Sequence, residues 1–121
     1  MRPTLLYDGD CRFCRFVARA VDRLDRDHRL ALMPFDDPGA APLLERLPDG
    51  ERAASWQLVL PDGRLASRGR GVADLLHEIG RAPRLASALR SLPLDRLYAI
   101  VARYRRQLGR LVPDGPAPRR P

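Results

Sequence analysis

The chain contains no lysine. Its basic residues are 22 arginines set against 15 acidic residues, for a formal net charge of +7 over 121 residues. Together with the wealth of alanine, leucine and proline, the exclusive use of arginine reads as a coding bias toward GC-rich codons, a compositional inference and not a physical one. The charge is uneven: residues 1–60 carry 9 Arg and 10 acids, residues 61–121 carry 13 Arg and 5 acids. Such a basic half attracts anionic partners weakly and in a salt-dependent way. It is read as a solvated helix face, and no nucleic-acid partner is expected. Cysteine is scarce too. Two residues, Cys11 and Cys14, are too few for a disulfide framework. The only histidines, His28 and His77, supply no second closely spaced ligand pair, so one chain cannot complete a four-ligand zinc site, although two chains sharing a metal could. No window approaches the roughly 18 apolar residues of a membrane span. Met1 to Asp10 holds neither a basic leader region nor a long apolar one, so a cytoplasmic protein is expected. Gly69-Arg70-Gly71 lacks the third glycine or the Gly-Lys-Ser/Thr ending of a phosphate loop and reads as a flexible helix entry. No internal repeat and no cofactor site are expected.

What is present is concentrated near the N-terminus. In Leu5-Leu6-Tyr7-Asp8-Gly9-Asp10-Cys11-Arg12-Phe13-Cys14 a short apolar run gives way to an apolar pattern of helical period, which predicts a strand, a tight turn and a helix start. Gly9 supplies freedom for the turn, and Asp10 is the natural N-cap. Unpaired N–H groups and the helix dipole favour a thiolate on the first turn, which makes Cys11 the candidate nucleophile. Arg12 and Arg15 add positive charge there, whereas Asp8 and Asp10 oppose it. Cys14, one helical turn on, is placed to attack a mixed disulfide at Cys11 and resolve it. Asp8 either accepts the Cys14 proton during resolution or organises the turn.

The remainder reads as one domain with a single core. Thr4 to Tyr7 forms a buried first strand. Phe13, Phe16, Val17, Ala20, Val21 and Leu24 fall on one helical stripe that ends near His28 and Arg29, and Leu30 to Met33 forms a second strand. Strand, one-sided helix and strand within about thirty residues imply a right-handed crossover and a parallel pair. A turn-rich loop and a short helix over Ala40 to Leu47, ended by Pro48-Asp49-Gly50, lead to a hairpin with strands Ser55–Leu60 and Arg64–Ser67 around Pro61-Asp62-Gly63. Val72, Leu75, Leu76 and Ile79 then mark another helix. The order is α/β, βαβαββα with a mixed sheet, occupying residues 1–80. Residues 81–112 hold two amphipathic segments, Leu85 to Leu92 and Leu97 to Leu111, read as a C-terminal helical extension packed on the core. Residues 113–121, with four prolines, are expected to be a disordered tail. Phe13 fits the core or an apolar contact for a partner protein, and Trp56 the core or the wall of a substrate groove, with core the commoner reading for both.

Tyr-Asp-Gly-Asp-Cys-x-x-Cys, here Tyr7 to Cys14, resembles the signature of the DCC-family thiol-disulfide oxidoreductases, small thioredoxin-like proteins. The likeness extends to the strand pair around Pro61-Asp62-Gly63, the Gly-rich lead into a helix at Gly69 to Asp74 and an Arg- and Tyr-bearing C-terminal helix, covering residues 4–110. It implies a thioredoxin-like core and a redox-active Cys11–Cys14 pair, a protein-disulfide reductase type of activity. The substrate would be a protein or small-molecule disulfide, and the electron donor is unnamed. The chain departs from thioredoxins in two places. Ser55-Trp56 stands where thioredoxins carry the cis-proline that holds an extended substrate, and Arg12-Phe13 replaces their Gly-Pro insert. Neither the client-binding mode nor the potential can be transferred, since couples of this type span roughly −120 to −270 mV. Two other readings stay open: a non-catalytic binding module using the basic C-terminal helix, and a zinc-bridged dimer.

Overall fold

The computed structural model describes residues 2–47, 56–80 and 83–120. Pro48-Asp49-Gly50, expected to end a helix, and Ser55, expected to start a strand, lie outside the described residues. Four strands form one mixed sheet in the order β2-β1-β3-β4. β1 (Thr4–Tyr7) pairs in parallel with β2 (Ala31–Pro34), from Thr4 opposite Ala31 to Tyr7 opposite Pro34. On its other side β1 pairs antiparallel with β3 (Gln57–Val59), and β3 with β4 (Leu65–Ser67). Between β1 and β2 runs α1 (Arg12–Leu24), between β2 and β3 lies α2 (Ala41–Leu44), and α3 (Arg68–Glu78) follows β4 directly. The βαβαββα order and the mixed sheet are those of a thioredoxin-like core.

Every residue of β1 is buried, and its alternation divides the core into two layers. Leu5 joins Val21, Leu30, Leu32, Leu58, Leu60, Leu75 and Ile79 beneath α1 and α3. Leu6 faces the other way, with Ala40, Val59 and the partly buried Met33, Phe35, Leu43 and Leu44 near α2. The hairpin turn closes through Gly63 N–H to Leu60 O at 2.8 Å, with Gly63 at φ +86°, a left-handed conformation that glycine adopts without cost.

α1 follows its apolar stripe to Leu24 but stops short of His28 and Arg29, where its end was expected. Its C-cap is Asp25, whose side chain is fully buried under the loop to β2. Oδ1 of Asp25 accepts the Arg29 N–H and Oδ2 the Leu30 N–H, both at 2.9 Å, so the carboxylate satisfies a loop that has no ladder partners. Val17 and Leu24, on the stripe expected to face the core, are 41% and 49% exposed.

The C-terminal extension comprises α4 (Pro83–Leu89), α5 (Leu94–Arg103) and α6 (Arg105–Leu111). The long stripe read as one helix breaks at Tyr104. α5 packs on α3, and after the break α6 packs on α1. Leu97, Ile100, Val101 and Tyr104 nevertheless stay 38–57% exposed, so the packing of this stripe is looser than its periodicity implied.

The expectation of a disordered tail needs correction for residues 113–120. Arg120 exchanges two backbone hydrogen bonds with Leu32, extending the sheet past β2 by one antiparallel bridge. Along the way the tail carbonyls meet the arginines of α1. Arg12 donates to Val112 O, Arg15 to Gly115 O, and Arg19 to Pro113 O and Pro116 O. Tyr7 Oη donates to Pro118 O, and Arg120 Nη2 reaches Asp25 Oδ2 at 2.8 Å. Proline content suppresses regular structure, but a carbonyl needs no N–H of its own to accept from a guanidinium.

Candidate active site

The site is built where β1 ends. Asp8 Oδ1 accepts the Asp10 N–H at 2.9 Å, closing the turn on itself. Gly9 presses against the end of β2: a Cβ there would lie 2.8 Å from Pro34 Cβ. The cap is Cys11 and not Asp10. Cys11 is extended at φ −92°, ψ 118°, and its Sγ accepts the Cys14 N–H at 3.3 Å, in the manner of a capping serine.

The two thiols are free and half-buried, yet they open on different surroundings. Cys14 faces an apolar cleft of about 510 Å³ between α1, α3 and α5, lined by Phe13, Phe16, Val17, Val72, Leu76, Leu97 and Val101, with Trp56 in its wall. Burial pushes the Cys14 thiol up to about 12, helped by its hydrogen bond with Cys11, the charge of Cys11 and the Asp8 carboxylate, while Arg105 opposes the shift. Cys14 is therefore a protonated thiol at neutral pH. Cys11 opens instead on a second pocket of about 470 Å³ formed with Asp8, Asp10, Arg12 and Phe13 from one side and Arg105, Arg106, Gly109 and Arg110 of α6 from the other. Phe13, Asp8 and Arg105 border both spaces.

All three sequence-predicted site residues are thus brought together. The arginines expected to add charge near the thiols are also tied down: Arg15, in electrostatic contact with Cys11, donates to Gly9 O at 2.9 Å and to Asp114 Oδ1 at 2.8 Å, bracing the turn against the tail, and Arg12 is engaged with Val112 O. Trp56 lies between the two readings offered for it, packed on the core and walling the cleft. Sequence reasoning missed Arg105, Arg106 and Arg110. Their only signal was the basic C-terminal helix, and nothing local says that a break at Tyr104 turns it onto the cysteine turn.

Among the described residues no three His, Cys, Asp or Glu side chains cluster as a metal site, and no helix is long and apolar enough to cross a membrane. A family model described as DCC1-like thiol-disulfide oxidoreductase matches residues 5–111. No curated protein matches the chain, and no solved structure does.

Proposed function

The chain belongs to the DCC1-like thiol-disulfide oxidoreductase family, and from that premise we propose that it exchanges electrons with disulfide substrates through Cys11 and Cys14, in the manner of a protein-disulfide reductase. The observation that carries this reading is the Cys14 N–H directed at Cys11 Sγ on the first turn of α1. It distinguishes the two sulfurs: one capped and open to a polar pocket, the other protonated against an apolar wall.

The Cys11 thiolate attacks one sulfur of the substrate disulfide. A Cys11–substrate bond forms and the first substrate thiolate leaves, taking a proton from water. Cys14 then loses its proton to the Asp8 carboxylate and attacks Cys11 Sγ. An intramolecular disulfide forms, the second substrate thiol departs, and two electrons have passed from protein to substrate. Asp8 Oδ1 is held by the Asp10 N–H, so its other oxygen is the one available for the proton. A separate electron donor restores the dithiol, and the chain works as a soluble cytoplasmic protein.

Trapping tests the order. Cys14→Ser is expected to accumulate mixed disulfides through Cys11, seen as adducts by mass spectrometry after acid quench and alkylation, while Cys11→Ser accumulates none. Equal adducts on both variants would reverse or abolish the assignment.

A further inference from the structure

The pocket in front of Cys11 is walled on the α6 side by three arginines, and among the described residues none of the three makes a hydrogen bond or an ion pair. Other arginines near the active-site turn are engaged: Arg12, Arg15 and Arg19 all donate to the tail. The free guanidiniums also sit where helix physics disfavours them. Arg105 and Arg106 occupy the first turn of α6, which has no acidic residue to offset the dipole, and Arg106 and Arg110 stand four residues apart, a like-charge pair. An arrangement that costs the fold stability and converges on a nucleophile is explained by an anionic ligand.

Resting on the proposed redox reading, we infer that Cys11 exchanges with an anionic low-molecular-weight thiol and its disulfide, of the glutathione class, whose carboxylates are held by Arg105, Arg106 and Arg110. The pocket volume of about 470 Å³ suits a small molecule and is narrow for a folded client. Planar guanidiniums bind carboxylates in pairs of parallel hydrogen bonds, which fixes the sulfur as well as the charge. Asp8 and Asp10 on the opposite wall give an ammonium group of such a molecule its place. The exchange balances as before: Cys11 takes one half of the disulfide, the other half leaves as thiol, and Cys14 releases the second half while the protein pair becomes a disulfide. Run backwards, two molecules of the anionic thiol reduce the pair. The basic C-terminal helix thereby becomes part of the thiol site.

The experiment oxidises the reduced full-length protein with three probes, glutathione disulfide (anionic), hydroxyethyl disulfide (neutral) and cystamine (cationic), each rate normalised to that of the same probe with free dithiothreitol. Glutathione disulfide is expected to lead by about tenfold or more, the worth of a charge-assisted contact. That lead should shrink in high salt and in Arg106→Gln/Arg110→Gln, and persist in Arg26→Gln just beyond the C-terminus of α1. Equal normalised rates, or a lead that the double variant leaves untouched, would overturn the inference while the redox reading stands. Failure of all three probes to oxidise the pair would remove both.

Discussion

Half-buried Cys14 and fully buried Asp25 are groups whose ionisation the fold biases in opposite directions. With its thiol raised to about 12 by burial, by the bond and charge of Cys11 and by Asp8, Cys14 rests protonated at neutral pH. Closure of the mixed disulfide therefore depends on how the proton leaves. With Asp8 accepting it, closure in stopped flow should vary little between pH 6 and 8, and Asp8→Asn should slow it at pH 7 by about tenfold or more. Faster closure in that variant would show that Asp8 acts only through the charge by which it raises Cys14. Asp25 runs the other way. Burial opposes its charge, but the N–H groups of Leu30 and Arg29 and the Arg120 guanidinium outweigh burial and hold the carboxyl below its usual range. Because the folded value is the lower one, its contribution is complete above the unfolded carboxylate value of about 3.9 and is lost as pH falls through the folded value. Stability should be flat in this respect from pH 5 to 8. Asp25→Ala, which leaves two loop N–H groups without an acceptor and leaves Arg120 paired with Asp22 alone, should cost about 3–5 kcal/mol in urea unfolding.

At the scale of elements, the strand-helix-strand unit and the hairpin were legible because each is specified locally: Leu5 to Tyr7 by an apolar run, α1 by its 3.6-residue stripe, the turn by Pro61-Asp62-Gly63. The cysteine turn was legible for the same reason, down to the pairing of Asp8 with its own turn. The cap was misassigned to Asp10 because a thiol in the capping role is chemically silent in sequence. Helix contacts over long separations were not legible. Arg12 and Arg15 were read as charge beside the thiols, and only the folded tail shows that carbonyls lie against them and against Arg19. α3 approaches the hairpin closely at Gly71. A Cβ at Gly71 would fall 2.6 Å from Trp56 Cη2 and 3.3 Å from the backbone of Ala66, so the indole must shift to admit it. Gly71→Ala should lower stability by about 1–3 kcal/mol as an overpacked site. Since Trp56 is the only tryptophan and walls the cleft at Cys14, the variant should also change the intrinsic emission maximum. An unchanged spectrum with full stability would refute the contact.

For the molecule as a whole, the tail holds three parts together: the exposed edge of β2, the buried Asp25 and the arginines of α1. Deletion of residues 113–121 should lower stability by about 3 kcal/mol or more, since Asp25 loses its guanidinium. It should also leave β2 with an unpaired edge, and size-exclusion chromatography should then show concentration-dependent self-association. A truncated protein that stays monomeric with unchanged Tm would contradict that role. Composition pointed the other way because four prolines signal lack of regular structure, which the tail indeed lacks, and say nothing about irregular chain that is nonetheless fixed.

That clasp also sets a clock on biosynthesis. Arg120 lies 95 residues beyond Asp25. At roughly 5–20 residues per second of synthesis, the aspartate and the neighbouring strand wait about 5–20 s on the ribosome for their partner. From the completion of β4 at Ser67 until Arg120 is made, the nascent domain has its strands and its cysteine turn but an open flank, the period in which a chaperone has most to protect.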